Sequence, residues 1–180
     1  MSTTIKQTEA APASYPAIPS SPAILSAAAA ALDPAMIWQR IESYVAHRWT
    51  EREVTWIVEG PGEWNPPLTP ATITTIEIWS RAGEWEAVEV PAAPLGYWLP
   101  GSGPYRFTAD VGGGDLPANV LEAFRRLAEY MAARAGKQGA YRESVQAGSV
   151  SVQTSRSASW MAEALQNSGA ADLLRQYRRA

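Results

Sequence analysis

The sequence predicts an α+β fold in which amphipathic helices flank a group of strands. Apolar residues recur with a period of 3.6 along residues 116 to 135, and a second helical pattern follows residue 33. Between them, residues 54 to 111 contain runs in which apolar and polar residues alternate, separated by glycine- and proline-rich turns. We therefore expect one domain with a single core, in which the helix over 116–135 covers the apolar face of the strands.

Residues 1 to 22 form an arm rich in alanine, proline, serine and threonine. Prolines interrupt any helical pattern, and no basic leader precedes an apolar run, so we expect a disordered arm and no targeting signal. The apolar run over 23–32 is about half the length that a bilayer requires. A short helix is expected there.

The two main helices have recognisable start signals. Asp33 is expected to cap the first, with Pro34 in the first helical position, and this helix should run to about Trp49. In the second, Pro117 suits the first helical position and Asp115 can accept hydrogen bonds from exposed amides. Its inner stripe is predicted to contain Val120, Phe124, Leu127 and Met131, and Gly136 should end it.

The strands are predicted from alternation and from their turns. Residues 105–111 show the cleanest period of two, and a turn at 81–84 is expected to join two strands into a hairpin. The remaining strands are expected over residues 54–58, 73–79, 85–90 and 97–99.

The chain is therefore expected to divide into three parts. A helical domain covers 23–145 with a β insertion at about 54–111, and a tail covers 146–180. Val150 and Val152 alternate as a possible edge strand in the tail, and a last helix is expected within 170–179. A helix of about ten residues is marginal alone in water, so this one must dock on its own domain or on a partner.

Composition excludes several classes of function. Cysteine is absent, which excludes disulfides, thiolate catalysis and cysteine-based zinc sites. The net charge of −3 is not typical of a protein that wraps nucleic acid. Residues 1–116 contain 6 basic and 13 acidic residues (−7), whereas residues 117–180 contain 9 and 5 (+4), so the two portions should face different partners or each other. Eight tryptophans suggest aromatic core anchors or faces that subunits bury.

No catalytic or metal site stands out. His47 is the only histidine, and it lies near no nucleophile turn. Glu84, Glu86 and Glu89 lie in or beside one strand, where Glu84 and Glu86 could form an acid–base pair, although a solvated strand face explains them better. Asp110 and Asp115 lack the spacing of a calcium loop, and the segment 135–139 lacks that of a phosphate loop. We expect no enzyme activity and no cofactor.

The order of the segments resembles the head–tail connector (adaptor) family of tailed bacteriophages and gene transfer agents, over about residues 33–179. The resemblance rests on W-x(6)-W at 49–56, I-x-x-I-x-I-W at 73–79, and Y-x-F-x-A-x-V-G followed by L-P-x-x-V-x-x-A at 105–123. It also rests on the closing segment, which contains Ser149–Val152, Ser159-Trp160, 168–170 and 173–179. The long arm and the number of tryptophans depart from the family pattern.

The resemblance implies a mainly helical subunit with a β-hairpin insertion, assembled with about twelve copies into a ring beneath the portal protein of a virion. The opposite end would receive the stopper or tail proteins, and genomic DNA would pass through the lumen without sequence-specific binding. The tail would dock on the portal through Trp160, Leu165, Leu173, Leu174, Arg175, Tyr177, Arg178 and Arg179.

Two further sets of residues are candidates for contacts. Subunits or partners could bury Trp56, Trp79, Trp85 and Trp98, and the three glutamates at 84, 86 and 89 could line the lumen, where they would let DNA slide. The alternative function is an aromatic-rich β module that binds glycan or single-stranded nucleic acid by stacking on the same tryptophans.

Overall fold

A computed structural model describes residues 2–19, 24–133, 142–147, 150–155 and 160–178. Strand outweighs helix in these residues, so the expectation of a mainly helical subunit is wrong. The described chain forms two compact units. We call residues 2–16 and 46–115 the sheet unit, and residues 17–45 and 116–178 the helical unit.

The strands of the described residues, in chain order, are β1 (Thr3–Glu9), β2 (Arg52–Glu59), β3 (Gly62–Trp64), β4 (Ala71–Trp79), β5 (Trp85–Ala87), β6 (Ala92–Ala93), β7 (Gly96–Leu99), β8 (Tyr105–Val111), β9 (Arg142–Ala147) and β10 (Val150–Ser155). Their order is β1-β2-β8-β4-β5 in a five-stranded sheet and β3-β7-β6 in a three-stranded sheet, while β9 and β10 pair with each other. All of these pairs are antiparallel. The strands predicted at 54–58 and 105–111 and the hairpin turn at 81–84 are confirmed.

The arm that was expected to be disordered contains β1. This strand pairs with β2, with Thr3 opposite Glu59 and Glu9 opposite Val54. The residues of β1 are polar except for Ile5, so the sequence contains no apolar stripe that would predict a strand there. The pairing is set by β2, whose far edge offers unpaired backbone groups to any extended segment.

The core of the sheet unit is aromatic. Val54, Trp56 and Val58 of β2 are fully buried, as are Tyr105 and Phe107 of β8. These residues face the same side because the side chains of a strand alternate between its two faces. Trp64 of the smaller sheet packs on Phe107 with ring centroids 4.3 Å apart. The two sheets of this unit therefore share one core.

The helices are α1 (Ala27–Ala30), α2 (Pro34–Tyr44), α3 (Ala118–Ala132), α4 (Ala164–Asn167) and α5 (Ala170–Leu173), followed by a 3-10 turn over Arg175–Tyr177. Asp33 caps α2 as predicted, its Oδ1 accepting from the Ala35 amide at 2.9 Å. The helix ends at Tyr44 and not near Trp49, because the next residues pair with Thr69: its amide donates to Ala46 O at 3.0 Å, and its carbonyl accepts from the Arg48 amide at 2.9 Å.

Helix α3 packs against α1, α2, α4 and α5 in a core of its own. Trp38 and Phe124 lie with ring centroids 5.0 Å apart at its centre, and both are buried. The predicted stripe of α3 is confirmed, since Val120, Phe124, Leu127 and Met131 are buried. Buried apolar residues therefore form a core in the helical unit as well as in the sheet unit.

Candidate interaction surfaces

A cluster of aromatic and charged side chains lies on one face of β4, β5 and β8. Trp79 and Trp85 are directly paired across the hairpin, with ring centroids 5.1 Å apart and edge to face. The Arg106 guanidinium lies 4.6 Å from the centre of the Trp85 ring. It also forms two hydrogen bonds to Glu77, of 2.6 and 2.7 Å. We call Glu77, Trp79, Trp85 and Arg106 the hairpin cluster.

The hairpin cluster is preorganised but partly exposed. The hydrogen bonds and charge of Arg106 hold the pKa of Glu77 below its usual value, despite some burial, so this pair stays ionised at neutral pH. Trp79 keeps 43% of its surface exposed. A rigid indole held in one orientation loses little conformational entropy on binding, which suits it to an interface.

The three glutamates that were candidates for a lumen lie on the same hairpin. Glu84, Glu86 and Glu89 are all exposed. Glu86 belongs to β5, which is an edge of the five-stranded sheet. They form an acidic edge that water and counterions can reach.

A second exposed apolar patch lies on the three-stranded sheet. Trp98 is 51% exposed and Leu95 is 70% exposed. Glu63 lies opposite Trp98 in the strand register, and its carboxylate accepts a hydrogen bond from the Leu95 amide at 2.6 Å. This bond fixes the loop that presents Leu95. We call Leu95 and Trp98 the loop patch.

Trp56, by contrast, is fully buried in the core of the sheet unit. It serves the fold of the subunit and offers no surface to a partner. The sequence did not separate it from Trp79 and Trp98, because all three tryptophans occupy strands of similar composition.

Glu9 of β1 binds two arginines of the sheet unit. Its Oε1 accepts from Arg48 Nε at 2.6 Å and from Arg52 Nη1 at 3.0 Å, and its Oε2 accepts from Arg48 Nη2 at 3.1 Å. Both arginines are 7% exposed. Burial alone would raise the pKa of Glu9, but the hydrogen bonds and charges of Arg48 and Arg52 outweigh it and leave that pKa below its usual value.

Two other side chains of β1 receive indole N–H groups. Trp56 Nε1 donates to Gln7 Oε1 and Trp64 Nε1 donates to Thr4 Oγ1, each at 2.9 Å. A buried donor without an acceptor costs about 1–3 kcal/mol, so β1 completes the sheet unit as well as pairing with β2. We use the name β1 slot for the edge of β2 together with the four side chains that donate hydrogen bonds to β1, which are Arg48, Arg52, Trp56 and Trp64. The sequence gives no sign of this slot, because the acceptors lie in the proline-rich arm.

The C-terminal segment packs within the helical unit. Leu174 is fully buried, Leu165 and Leu173 are half-buried, and Trp160 contacts the Tyr130 ring with centroids 5.7 Å apart. Asn119 of α3 donates to Leu173 O at 3.1 Å. The sequence left open whether this segment docks on its own domain or on a partner. These contacts show that its own domain provides a docking surface.

The polar residues of this segment remain at the surface. Arg175 is exposed and lies 3.2 Å from Asp172, and Arg178 stacks 4.7 Å from the centre of the Tyr44 ring. Tyr177 donates to Asn119 Oδ1 at 3.3 Å. Arg179, which was also a candidate, lies outside the described residues, as does the glycine-containing segment 135–139.

Two arginines of α3 share one carboxylate. Glu122 accepts hydrogen bonds from Arg125 and Arg126, which lower its pKa to about 2. Both arginines are therefore in ion pairs, as Arg175 is with Asp172.

An apolar recess of about 290 Å³ opens in the helical unit. Its lining includes Ile18, Leu25, Leu32, Ile37 and Phe124. Helix α1 forms one wall, since Ala29 and Ala30 also line it. A recess of this size and character suits one or two apolar side chains of a partner.

His47 lies in the loop after α2. Its ring centroid is 4.8 Å from that of Trp49, and its backbone bridges Thr69. Burial, helped by the charge of Arg48, lowers its pKa, so the imidazole is neutral at pH 7. Among the described residues no group of three acidic, histidine or cysteine side chains could hold a metal ion, and no helix is long and apolar enough to span a bilayer.

Comparison of the chain with protein-family models, with curated proteins and with solved structures finds no match.

Proposed function

We propose that the chain is a structural subunit of the head–tail connector of a tailed bacteriophage or gene transfer agent. Copies of it would form a ring beneath the portal protein and join the capsid to the stopper or tail proteins. The observation that carries the proposal is the exposure of Trp79 and Trp98 in a unit whose core already contains Trp56 and Trp64. Large exposed aromatic side chains held in place are typical of surfaces that partners bury.

The apolar surfaces of the two units are complementary in kind. The sheet unit presents the loop patch, and the helical unit has the apolar recess. A patch on one surface and a recess on another generate a head-to-tail contact between copies, and such contacts close into rings when the rotation permits. This supports a ring and not a twofold dimer.

The charged surfaces suit the other partners. Arg175 and Arg178 lie on the surface of the C-terminal segment, where they would meet the portal. The acidic edge would line the lumen, because negative side chains repel the phosphates of passing DNA. Leu174 is buried, so deletion of the C-terminal segment would remove part of the helical core, and portal binding is better tested with surface substitutions.

A binding module for glycan or single-stranded nucleic acid remains the second candidate. The hairpin cluster favours it, because the half-exposed Trp79, which packs on Trp85, could stack on a sugar or a base.

The test compares the wild type with W79S/W98S and with W79F/W98F. Light scattering and negative-stain images, with and without portal protein, measure assembly. We expect rings for the wild type and the phenylalanine variant, and monomers for the serine variant with unchanged circular dichroism. A wild type that stays monomeric with portal protein present, and whose tryptophan fluorescence responds to oligosaccharides or oligonucleotides, would instead support the binding module.

Attachment to the portal is tested by charge reversal in the C-terminal segment. Arg175→Glu should weaken binding to the portal, whereas Arg81→Glu, an exposed reversal on the sheet unit, is the matched control. Equal binding by both variants would count against the C-terminal segment as the contact.

A further inference from the structure

The β1 slot has the features of a binding site for an extended peptide. Backbone pairing with β2 supplies affinity, as in other cases of strand addition, and the side chains supply selectivity. Side chains of the slot donate hydrogen bonds to three acceptors of the strand: the Thr4 hydroxyl, the Gln7 amide oxygen and the Glu9 carboxylate. Ser2 adds a fourth contact, its hydroxyl donating to the Glu63 carbonyl.

The strand β1 and its partner β2 are far apart in the sequence. Residues 10 to 51 lie between β1 and β2, and residues 17–45 of that stretch belong to the helical unit. The pairing is therefore not a local hairpin. The strand is tethered to the helical unit by residues 10–16, so the slot that it enters, its own or a neighbour's, depends on which slot that tether reaches.

We propose that the β1 slot is a strand-binding site that accepts residues 2–9 of a second copy of this chain, so that neighbouring copies exchange their N-terminal strands. Every contact that β1 makes with the slot forms equally well when the strand comes from a neighbour. Exchange of a terminal element therefore loses no contact and is decided by effective concentration alone. A neighbour held in an assembly competes at millimolar effective concentration.

The character of β1 fits a detachable strand. It occupies an edge of the five-stranded sheet, and Thr3, Ile5, Lys6, Gln7 and Thr8 are exposed. Its attachment is concentrated in its paired backbone and in the polar contacts of Thr4, Gln7 and Glu9. The strand therefore has no apolar core of its own to lose when it leaves one slot for another. This inference rests on the proposed function in one respect, since it requires that copies of the chain are neighbours in an assembly.

The experiment uses the absence of cysteine from the sequence. Thr8 and Thr55 are register partners in β1 and β2, so their Cβ atoms lie about 4.5–5.5 Å apart. Full-length T8C and T55C are made separately, mixed at the concentration at which the protein assembles, and oxidised. Exchange predicts a disulfide-linked dimer on non-reducing gels, formed from one copy of each variant.

The matched control is T8C mixed with T108C. Thr108 pairs with Thr55 on the other side of β2, one strand further from β1. This pair should give at least tenfold less cross-linked dimer. The double variant T8C/T55C measures how often the strand occupies its own slot, because the two cysteines then cross-link within one chain. Cross-linking confined to single chains, with no dimer from the mixed variants, would overturn the proposal.

A second measurement tests what the slot recognises. Adding E9A to the T8C copy should lower dimer formation several-fold, whereas K6A, which changes an exposed side chain of β1, should leave it unchanged. A synthetic peptide of residues 2–11 should compete with the strand and reduce the dimer. Equal cross-linking with E9A and no effect of the peptide would show that the slot does not select this strand.

Discussion

Arg106 is held by Glu77 on one side and by the Trp85 ring on the other, with its guanidinium 2.6 Å from the carboxylate and 4.6 Å from the ring centre. The two contacts connect three strands, since Glu77 lies on β4, Trp85 on β5 and Arg106 on β8. Arg106 therefore fixes the hairpin that presents Trp79.

Replacing Arg106 tests this arrangement. R106M should lower the free energy of unfolding by about 1 kcal/mol, because a partly exposed ion pair and a cation–π contact each contribute less than that. Urea denaturation of R106M, E77Q and the double variant measures the coupling. Additive effects of the two substitutions would contradict the predicted link between Arg106 and Glu77.

Glu9 should make stability depend on acid pH. Its folded pKa lies below its unfolded value near 4.5, so its contribution is complete above that value and is lost as the pH falls through the folded pKa. E9Q should be less stable than the wild type at pH 7 by about 1–3 kcal/mol, because charged hydrogen bonds to Arg48 and Arg52 are weakened.

Urea unfolding at pH 7 and at pH 3 measures this effect. The difference between the two proteins should shrink at the lower pH, because the advantage of the ionised carboxylate is lost progressively below the unfolded pKa. A constant difference between them would show that the loss came from packing and not from ionisation.

His47 should produce a separate dependence near neutral pH. Its folded pKa is below the unfolded value near 6.5, so the unfolded chain binds the proton more readily. Stability should be complete above pH 6.5 and should fall as the pH is lowered towards 5. H47Q should lack this change between pH 7 and 5, as followed by thermal unfolding at closely spaced pH values. A wild type with a flat profile over that interval would contradict the lowered pKa.

Gly112 should tolerate no side chain. Its φ of 111° is one that other residues rarely adopt, and a Cβ there would collide with the Thr50 carbonyl. Gly113 is the matched control, since its φ is 101° but a Cβ would meet nothing within 4 Å. G113A should cost about 1–2 kcal/mol from backbone strain alone, and G112A should cost clearly more. Equal unfolding free energies for the two variants would show that the collision is relieved.

The acidic edge should keep duplex DNA from binding. The wild type should show no retention of DNA at low salt, whereas E84K/E86K/E89K should bind it with an affinity that falls steeply as salt is added. Gel shifts over a range of salt concentrations measure this. Equal behaviour of the two proteins would count against the proposal that these glutamates face DNA.

The sequence predicted the elements with strong periodicity and failed where partners are distant in the chain. The stripe of α3 and the alternation over 105–111 are local patterns, and both are confirmed. The strand β1 has no such pattern, because its order comes from β2 and from arginines about 40 residues away. The predicted end of α2 was wrong for the same reason, since Ala46 and Arg48 form backbone hydrogen bonds with the distant Thr69 and do not continue the helix.

The candidate surfaces were predictable only in part. Exposure separates Trp79 and Trp98 from Trp56, although their sequence surroundings are alike. The sequence predicted the three glutamates in or beside a strand over 85–90; the observed strand is shorter, with Glu86 in β5, Glu84 just before it and Glu89 two residues after it. The contacts of Glu9 could not be inferred, since a lone carboxylate in a proline-rich arm gives no sign of the buried guanidinium groups that it meets.

The shortness of β5 has a consequence for solubility. The five-stranded sheet ends there after three residues, and glutamates stand in and beside that end. Two such ends brought together would place like charges opposite each other without enough backbone pairing to offset the repulsion. Edge-to-edge pairing of separate molecules through this side, the first step towards a fibre, is therefore disfavoured.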